Sequence, residues 1–112
     1  GSDGWFHLCW VWRDSPDCST NHHPSYARSR NLTQWETIDG KGLKLPITFD
    51  NKETIIDPIP VGGGIINGVL NTAIDNKKEI LASYVKYDKK GNTQVFIARY
   101  PNSKHFLPTT FF

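Results

Sequence analysis

The sequence contains one pattern twice: WVWRD at residues 10–14 with YARS at 26–29, and YVKYD at 84–88 with IARY at 97–100. In each copy an aromatic and β-branched run ends in an Asp turn, and a second run that ends in or contains Ala-Arg follows. The Asp residues lie 74 positions apart and the Ala-Arg pairs 71, so the second copy has the shorter loop. The pattern therefore indicates one structural unit that is used twice.

Strand and turn signals surround both copies. We predict strands at residues 5–12, 25–29 and 34–37 in the first half, and at 65–74, 79–87 and 93–100 in the second. Polar or turn-forming residues separate them at 14–24, 30–33, 75–78 and 88–92. Residues 38–64 are predicted to be a long irregular connection, and no amphipathic helix is indicated anywhere.

These strands predict an all-β fold of antiparallel, four-stranded-type meander sheets. Small meander sheets that recur in one chain are typical of β-propeller blades, so we interpret the chain as a fragment of about two blades. Blade one covers about residues 4–38, a connecting loop 39–64, blade two about 65–100, and an irregular tail 101–112. The first copy lacks its innermost strand and the second a clear outermost one, so we expect open edges that allow self-association. For the tail we predict no more than edge pairing.

Composition excludes several classes of function. The net charge of +2 over 112 residues gives no electrostatic reason to expect nucleic acid or a membrane as partner. Cys9 and Cys18 are the two cysteines, and their spacing fits neither a zinc knuckle nor a CxxC site. Cys9 lies in an apolar run and is interpreted as a small buried hydrophobe, although a disulfide to Cys18 stays open. We expect no metal and no cofactor.

Several further strings identify a family likeness. They are WRDSPD at 12–17, TNH at 20–22, YARS at 26–29, WE at 35–36, LPIT at 45–48, DPIPVGGG at 57–64, KYD at 86–88 and GNTQ at 91–94. Together they resemble the BNR-repeat family of bacterial β-propeller proteins, a group that includes ulvan-type polysaccharide lyases. The resemblance covers about residues 4–100. In addition, SRNLTQW at 29–35 resembles a degraded Asp-box turn, with Asn31 in place of Asp and without its Gly.

The resemblance implies a chemistry. Ulvan-type lyases cleave a glycosidic bond next to a uronic acid by β-elimination, using a His, a Tyr and an Arg on neighbouring blades. The sugar C5 proton becomes acidic once the adjacent carboxylate is neutralised, and a positioned Tyr can then move the proton. The implied partner is an acidic polysaccharide or oligosaccharide, and the implied location is secreted or periplasmic.

The residues that match this pattern are the expected site. The catalytic candidates are His22, Tyr87 and Arg99, and we expect His22 and Tyr87 to share one groove. The candidates for substrate binding are Asn21, His23, Arg28, Asn67 and Asn92. His23 stands where the family tends to have an acidic residue. Arg28 is the repeat counterpart of Arg99, which also fits a structural brace at this position.

Two other functions stay open. A sialidase-like or arabinanase-like hydrolase would need paired carboxylates, for which Asp14, Asp17, Asp57 and Asp88 are available, although turn formation also explains them. A non-catalytic glycan-binding propeller, or a truncated one, is the second. Trp10, Trp12 and Trp35 are interpreted as blade core. Gly62–Gly64 lacks the Lys-Ser/Thr and the helix of a phosphate loop and fits a flexible approach to the inner strand.

Overall fold

The computed structural model describes residues 1–66 and 70–100, together with the backbone of residues 107–111. These residues form eight strands: β1 Phe6–Arg13, β2 Asn21–Ser29, β3 Trp35–Glu36, β4 Gly42–Leu43, β5 Asn71–Ile74, β6 Ile80–Tyr87, β7 Thr93–Tyr100 and β8 Leu107–Phe111. Short 3-10 turns occupy Cys18–Thr20 and Lys52–Thr54, and the described residues contain no α-helix. The all-β prediction is confirmed.

The strands form two antiparallel four-stranded sheets. Their orders are β1-β2-β3-β4 and β5-β6-β7-β8, so each sheet is a meander in which chain neighbours pair. This architecture is consistent with two propeller blades. The tail was expected to be irregular apart from edge pairing, and the second copy was expected to lack a clear outermost strand. Instead, β8 pairs with β7 and forms that strand. The repeat matches β1 with β6 and β2 with β7, so among the described strands β5 has no counterpart in the first sheet.

Strand β2 is longer than the sequence predicts. Residues Asn21–Pro24 were expected in a loop, but Arg13 pairs with Asn21 and Trp12 with His22. The register shifts between Trp10 and Trp12, where β2 has an additional residue, and His23 there has a φ of +46°. Proline is tolerated in a strand at such a bulge, where its missing N–H removes no ladder hydrogen bond. Pro24 was therefore a misleading loop signal.

Two other boundaries also differ from the prediction. Among the described residues of the expected strand 65–74, only 71–74 form a strand, and Ile65 is buried in the core rather than paired in a sheet. The predicted loop 38–64 contains β4, which pairs with β3, and the turn Lys52–Thr54. Strands of two residues show no alternation, so periodicity does not reveal them.

The connection between the sheets supplies much of the core. Ile38, Ile56, Ile59 and Ile65 are buried in a cluster that also includes Tyr26 of β2. From the second sheet the cluster takes Ile80, Ala82, Tyr84 and Ala98. Burying an isoleucine side chain contributes about 2–3 kcal/mol. The connection is therefore fixed along much of its length by apolar anchors that hold it against both sheets.

The turn that resembles a degraded Asp-box is held by its own side chains. The Ser29 hydroxyl accepts from the backbone N–H of Leu32 at 2.8 Å and donates to the Gln34 carbonyl at 2.6 Å. The Asn31 side-chain oxygen accepts from the N–H groups of Thr33 and Gln34 at 3.0 and 2.9 Å. Asn31 thus satisfies the turn as an Asp would, and the motif is structural.

The two cysteines are free thiols. Cys9 packs against the core cluster, and burial raises the pKa of its thiol to about 12. Cys18 is exposed in the turn that follows β1. The pairing left open by the sequence is not made in this structure, and the interpretation of Cys9 as a small apolar side chain is confirmed.

Candidate functional site

The end of the first sheet where β1 leads into β2 carries a pair of imidazoles. Nδ1 of His22 lies 2.8 Å from Nδ1 of His23, and Nε2 of His22 lies 2.8 Å from the Asp14 carboxylate. Adjacent residues of a regular strand point to opposite faces. The bulge and the positive φ of His23 remove that alternation, which allows both rings to meet.

An aromatic wall and a cation complete this cluster. The Phe49 ring packs edge-on against both imidazoles, with centroids 5.1 Å from His22 and 5.0 Å from His23. The Lys52 ammonium lies over the Phe49 ring. Burial lowers the pKa of His23, and the electrostatic interactions with His22 and Lys52 lower it further, whereas the Asp57 carboxylate acts in the opposite direction. His23 is therefore held as a neutral imidazole near neutral pH.

A buried carboxylate joins the connection to the second sheet. Asp57 accepts hydrogen bonds from the Tyr84 hydroxyl at 2.7 Å and from the Lys86 ammonium at 2.6 Å. Burial raises the pKa of Tyr84, and the hydrogen bond to the Asp57 carboxylate raises it further. Tyr84 is thus fixed as a neutral donor, and Asp57 serves packing between the sheets more than turn formation.

Tyr87 lies at the corresponding end of the second sheet. Its side chain is 47% exposed and borders a cavity of about 200 Å³. The cavity is also lined by Cys18, Ser19, Gly62, Gly64, Ile65 and Ile66. A Cβ on Gly64, whose φ is +91°, would lie 2.8 Å from the Tyr87 ring. Glycine is therefore required where the connection passes the tyrosine.

One short segment links the two strand ends. The Ile59 carbonyl accepts from the N–H of His23 at 2.8 Å, and the Gly63 carbonyl accepts from the N–H of Tyr87 at 2.9 Å. Because Gly63 N–H donates to the Pro60 carbonyl in a turn, the Cα atoms of Ile59 and Gly63 are at most about 11 Å apart. His23 and Tyr87 therefore lie on the same end of the molecule, on either side of this segment.

Arg99 lies far from Tyr87. Tyr87 pairs with Thr93 at the start of β7, whereas Arg99 is six residues further along that strand. At about 3.3 Å per residue the two positions are about 20 Å apart. Arg99 instead forms an ion pair with Glu79 at 3.5 Å. The structure does not bring Arg99 into the groove that the sequence led us to expect.

Arg28 occupies the equivalent position in the first sheet. It binds Glu36 through Nε at 2.9 Å and through its terminal nitrogen at 2.8 Å, and its guanidinium lies 4.1 Å from the centroid of the Trp5 ring. It is six residues beyond His22 on β2, at the opposite end of the strand. Arg28 thus braces β2 against β3, and Arg99 braces β7 against Glu79 just before β6.

The asparagine candidates have separate positions. Asn21 is buried and accepts from Nε of Arg13 at 2.7 Å, so it joins the two strand ends of the first sheet. Asn92 is exposed and closes the β6–β7 turn, where its N–H donates to Asp88 at 2.9 Å. Asn67 lies outside the described residues. Of the three, Asn21 adjoins the imidazole pair.

The carboxylates available to a hydrolase are mostly used in turns. A hydrogen bond from the Ser19 N–H lowers the pKa of Asp17, and one from the Asn92 N–H lowers that of Asp88. Asp57 is buried under Lys86, and Asp14 faces His22. None of these contacts joins two of the four into a pair across a cleft. Within the described part of the chain, no group of three or more His, Cys, Asp or Glu side chains is arranged for a metal ion.

Sequence reasoning missed Phe49, Lys52 and Lys86. Phe49 and Lys52 lie in the irregular connection, where no repeat or periodicity marks them. Lys86 was noted only as part of the KYD string, yet it lies within β6, two residues after Tyr84 and on the same face. The alternation of side chains along β6 indicates that Lys86 shares a face with Tyr84.

None of the helices in the described residues is long and apolar enough to span a membrane.

Comparison with known proteins identifies a family for nearly the entire chain. A family model described as "BNR repeat-containing family member" matches residues 1–110. No curated protein matches the chain. The match leaves out only two residues, and the two meander sheets agree with it. The chain therefore belongs to the BNR repeat-containing family.

Proposed function

We propose that this chain is part of a carbohydrate-active β-propeller that cleaves uronate-containing glycans by β-elimination. Membership of the BNR repeat-containing family supports a carbohydrate-active propeller. The observation that carries the finer proposal is the common end of the molecule shared by the imidazole pair and Tyr87, which the segment 59–63 joins. Elimination needs a base and a proton donor of this kind on either side of one sugar.

The surrounding groups suit an anionic sugar. Lys52 lies next to the imidazole pair and Lys86 lies one residue before Tyr87, so this end carries two ammonium groups. A cation close to the uronate carboxylate stabilises the negative charge that develops when the C5 proton leaves. Because Lys86 already forms an ion pair with Asp57, it stabilises less of the negative charge on the sugar. Lys52 is therefore the better candidate for this role.

Tyr87 supplies a partly exposed phenol beside the cavity. The ring can contact the apolar face of a sugar, and the hydroxyl can donate a proton to the oxygen that leaves C4. In place of the distant Arg99, we assign the neutralising role to a lysine at this end. Because polysaccharides are too large to enter a cell intact, the proposed activity also favours a secreted or periplasmic location.

Ultraviolet detection of the unsaturated product tests the elimination. Because about two blades do not close a propeller, the full-length parent protein is mixed with a panel of uronate-containing polysaccharides, and the absorbance of the new carbon–carbon double bond is followed. We expect a rise that falls by roughly 100-fold in rate with Tyr87→Phe, the scale of a lost general acid. Tyr26→Phe is the matched control, because Tyr26 is buried and its hydroxyl binds His7.

The other outcomes separate the competing functions. Shorter saccharides without a double bond would support a hydrolase. Binding of a glycan with no cleavage would support the non-catalytic module. Equal rates for wild type and Tyr87→Phe would remove Tyr87 from the mechanism.

A further inference from the structure

Hydrogen bonds in the imidazole cluster determine where its protons lie. An ionised carboxylate only accepts hydrogen bonds, so the 2.8 Å contact to Asp14 requires a proton on Nε2 of His22. A neutral imidazole carries one N–H, and Nδ1 of His22 is then an acceptor. The 2.8 Å contact between the two Nδ1 atoms therefore requires a proton on Nδ1 of His23. Nε2 of neutral His23 is left with a free lone pair.

The surroundings of His23 make that nitrogen available. Its Nδ1 is bonded to His22, whereas Nε2 makes none of the hydrogen bonds found among the described residues. His23 is partly exposed, whereas the His22 side chain is only 9% exposed and both of its nitrogens are bonded. The buried imidazole is thus occupied, and the more accessible one has the free basic nitrogen.

Charged groups on each neighbouring element affect this nitrogen. They are His22 on β2, Lys52 in its 3-10 turn and Asp57 in the connection, and Asp14 after β1 acts on His22. Burial and the Lys52 ammonium oppose a positive charge on His23, and the Asp57 carboxylate offsets them in part. A neutral His23 with its lone pair on Nε2 is the state that a base requires.

We propose that His23 is the base of the elimination, and that His22 and Asp14 are positioning residues that keep its Nε2 unprotonated. This inference rests on the function proposed above. The Nε2 lone pair takes the C5 hydrogen as a proton, and the electron pair of that bond forms the C4–C5 double bond. The C4–O bond breaks, and its electron pair stays on the glycosidic oxygen, which takes a proton from the Tyr87 hydroxyl. Water then returns a proton to Tyr87, and His23 loses its proton to solvent.

The arrangement has the logic of a catalytic triad, in which a carboxylate sets the tautomer of a histidine. Here the effect passes through one additional imidazole. His22, the residue that matches the family motif, therefore lies between Asp14 and His23 in this hydrogen-bonded series and is not itself the base.

Nuclear magnetic resonance tests the tautomers without any substrate. Long-range ¹H–¹⁵N correlation on the ¹⁵N-labelled protein distinguishes protonated from bare imidazole nitrogens. We expect His23 with a proton on Nδ1 and a bare Nε2, and His22 with the reverse. His7 is the internal control, because its Nε2 faces Asp3 at 3.0 Å and its Nδ1 faces the Tyr26 hydroxyl at 2.6 Å. A proton on Nε2 of neutral His23 would overturn the inference.

Two variants connect the tautomer to the reaction. Asn tolerates a positive φ, so His23→Asn should fold, and we expect its elimination rate to fall by roughly 100-fold or more. His22→Phe keeps a ring against Phe49 and removes the link to Asp14. We expect it to lose about 10-fold in rate, to raise the apparent pKa of the pH–rate profile, and to lose the Nδ1–H tautomer of His23.

The outcomes separate this inference from the proposed function. If wild type cleaves a glycan and His23→Asn cleaves it equally well, His23 is not the base and the function stands. If no uronate glycan is cleaved, the elimination fails, and the resonance experiment alone decides whether Asp14 and His22 set the tautomer.

Discussion

The two sheets are alike at one end and different at the other. Ala27 and Ala98 are fully buried at the same repeat position, and Arg28 and Arg99 each follow with an ion pair, to Glu36 of β3 and to Glu79 just before β6. At the opposite end, His22 in the first sheet corresponds to Thr93 in the second. The positions that the copies share are structural, and the positions at which they differ form the candidate site.

The strands that precede these residues, β1 and β6, also differ at equivalent positions. Trp12 in the first copy packs on Phe49 and donates to the Ser25 hydroxyl at 3.2 Å. Its counterpart Lys86 binds the buried Asp57. The first sheet thus supports its site with aromatic packing, and the second with a carboxylate that ties it to the connection.

Removal of the Asp57 carboxylate should have the largest effect on stability. Asp57→Ala leaves the Tyr84 hydroxyl and the Lys86 ammonium without their acceptor, and we expect a loss of about 3 kcal/mol in the free energy of unfolding. Denaturant titration measures it. Adding Lys86→Met to Asp57→Ala should recover part of the loss, because the uncompensated charge is gone. A loss below about 1 kcal/mol for Asp57→Ala would show that the second sheet does not depend on this carboxylate.

Replacement of the two arginines should have a smaller and unequal effect. Arg28→Met removes two hydrogen bonds to Glu36 and the contact with Trp5, and we expect a loss of about 1 kcal/mol. Arg99 is 51% exposed with a single ion pair at 3.5 Å, so Arg99→Met should cost less than about 0.5 kcal/mol. Thermal unfolding of both variants provides the comparison. A larger loss for Arg99→Met would contradict their ranking as braces.

Acidification should have the smallest effect. The pKa of His23 is lower in the folded chain than its ordinary value of 6.5, so the unfolded chain binds more protons between these two pKa values. The stability associated with neutral His23 is fully present above about pH 6.5. The free energy of unfolding then decreases as the pH falls from there towards the pKa of His23 in the folded chain. Denaturant midpoints at several pH values measure it, with His23→Asn as the control. An equal slope in wild type and His23→Asn would mean that other groups cause it.

The repeated pattern was sufficient to predict much of the fold. Tyr84, Phe96 and their neighbours alternate or are β-branched, so β6 and β7 follow from local sequence. The bulge at His23 did not follow, because it depends on how β2 meets β1, and Pro24 read locally as a loop residue. Ile65 was assigned to a strand because a buried anchor and a buried strand residue have the same apolar side chain.

For the candidate site, the sequence motifs selected His22 and Tyr87, which the structure places at the same end of the molecule, together with Arg99, which it places elsewhere. Residues six apart on one strand are about 20 Å apart, so the expected grouping of Arg99 with Tyr87 needed strand direction as well as motif matches. Whether His22 or His23 presents a free nitrogen depends on hydrogen bonds to Asp14, which come from tertiary structure.

The turn at Ser29 also has a consequence for the order of folding. Its hydrogen bonds join residues at most five positions apart, and loops of this size close within about 10–100 ns. The bonds of Asp57 to Tyr84 and Lys86 span 27 and 29 positions, so they bear a much larger loop-closure entropy. We expect the β2–β3 hairpin to form early and the link between the sheets to form late. The loss in Asp57→Ala should then appear in stopped-flow experiments as faster unfolding, with the folding rate nearly unchanged.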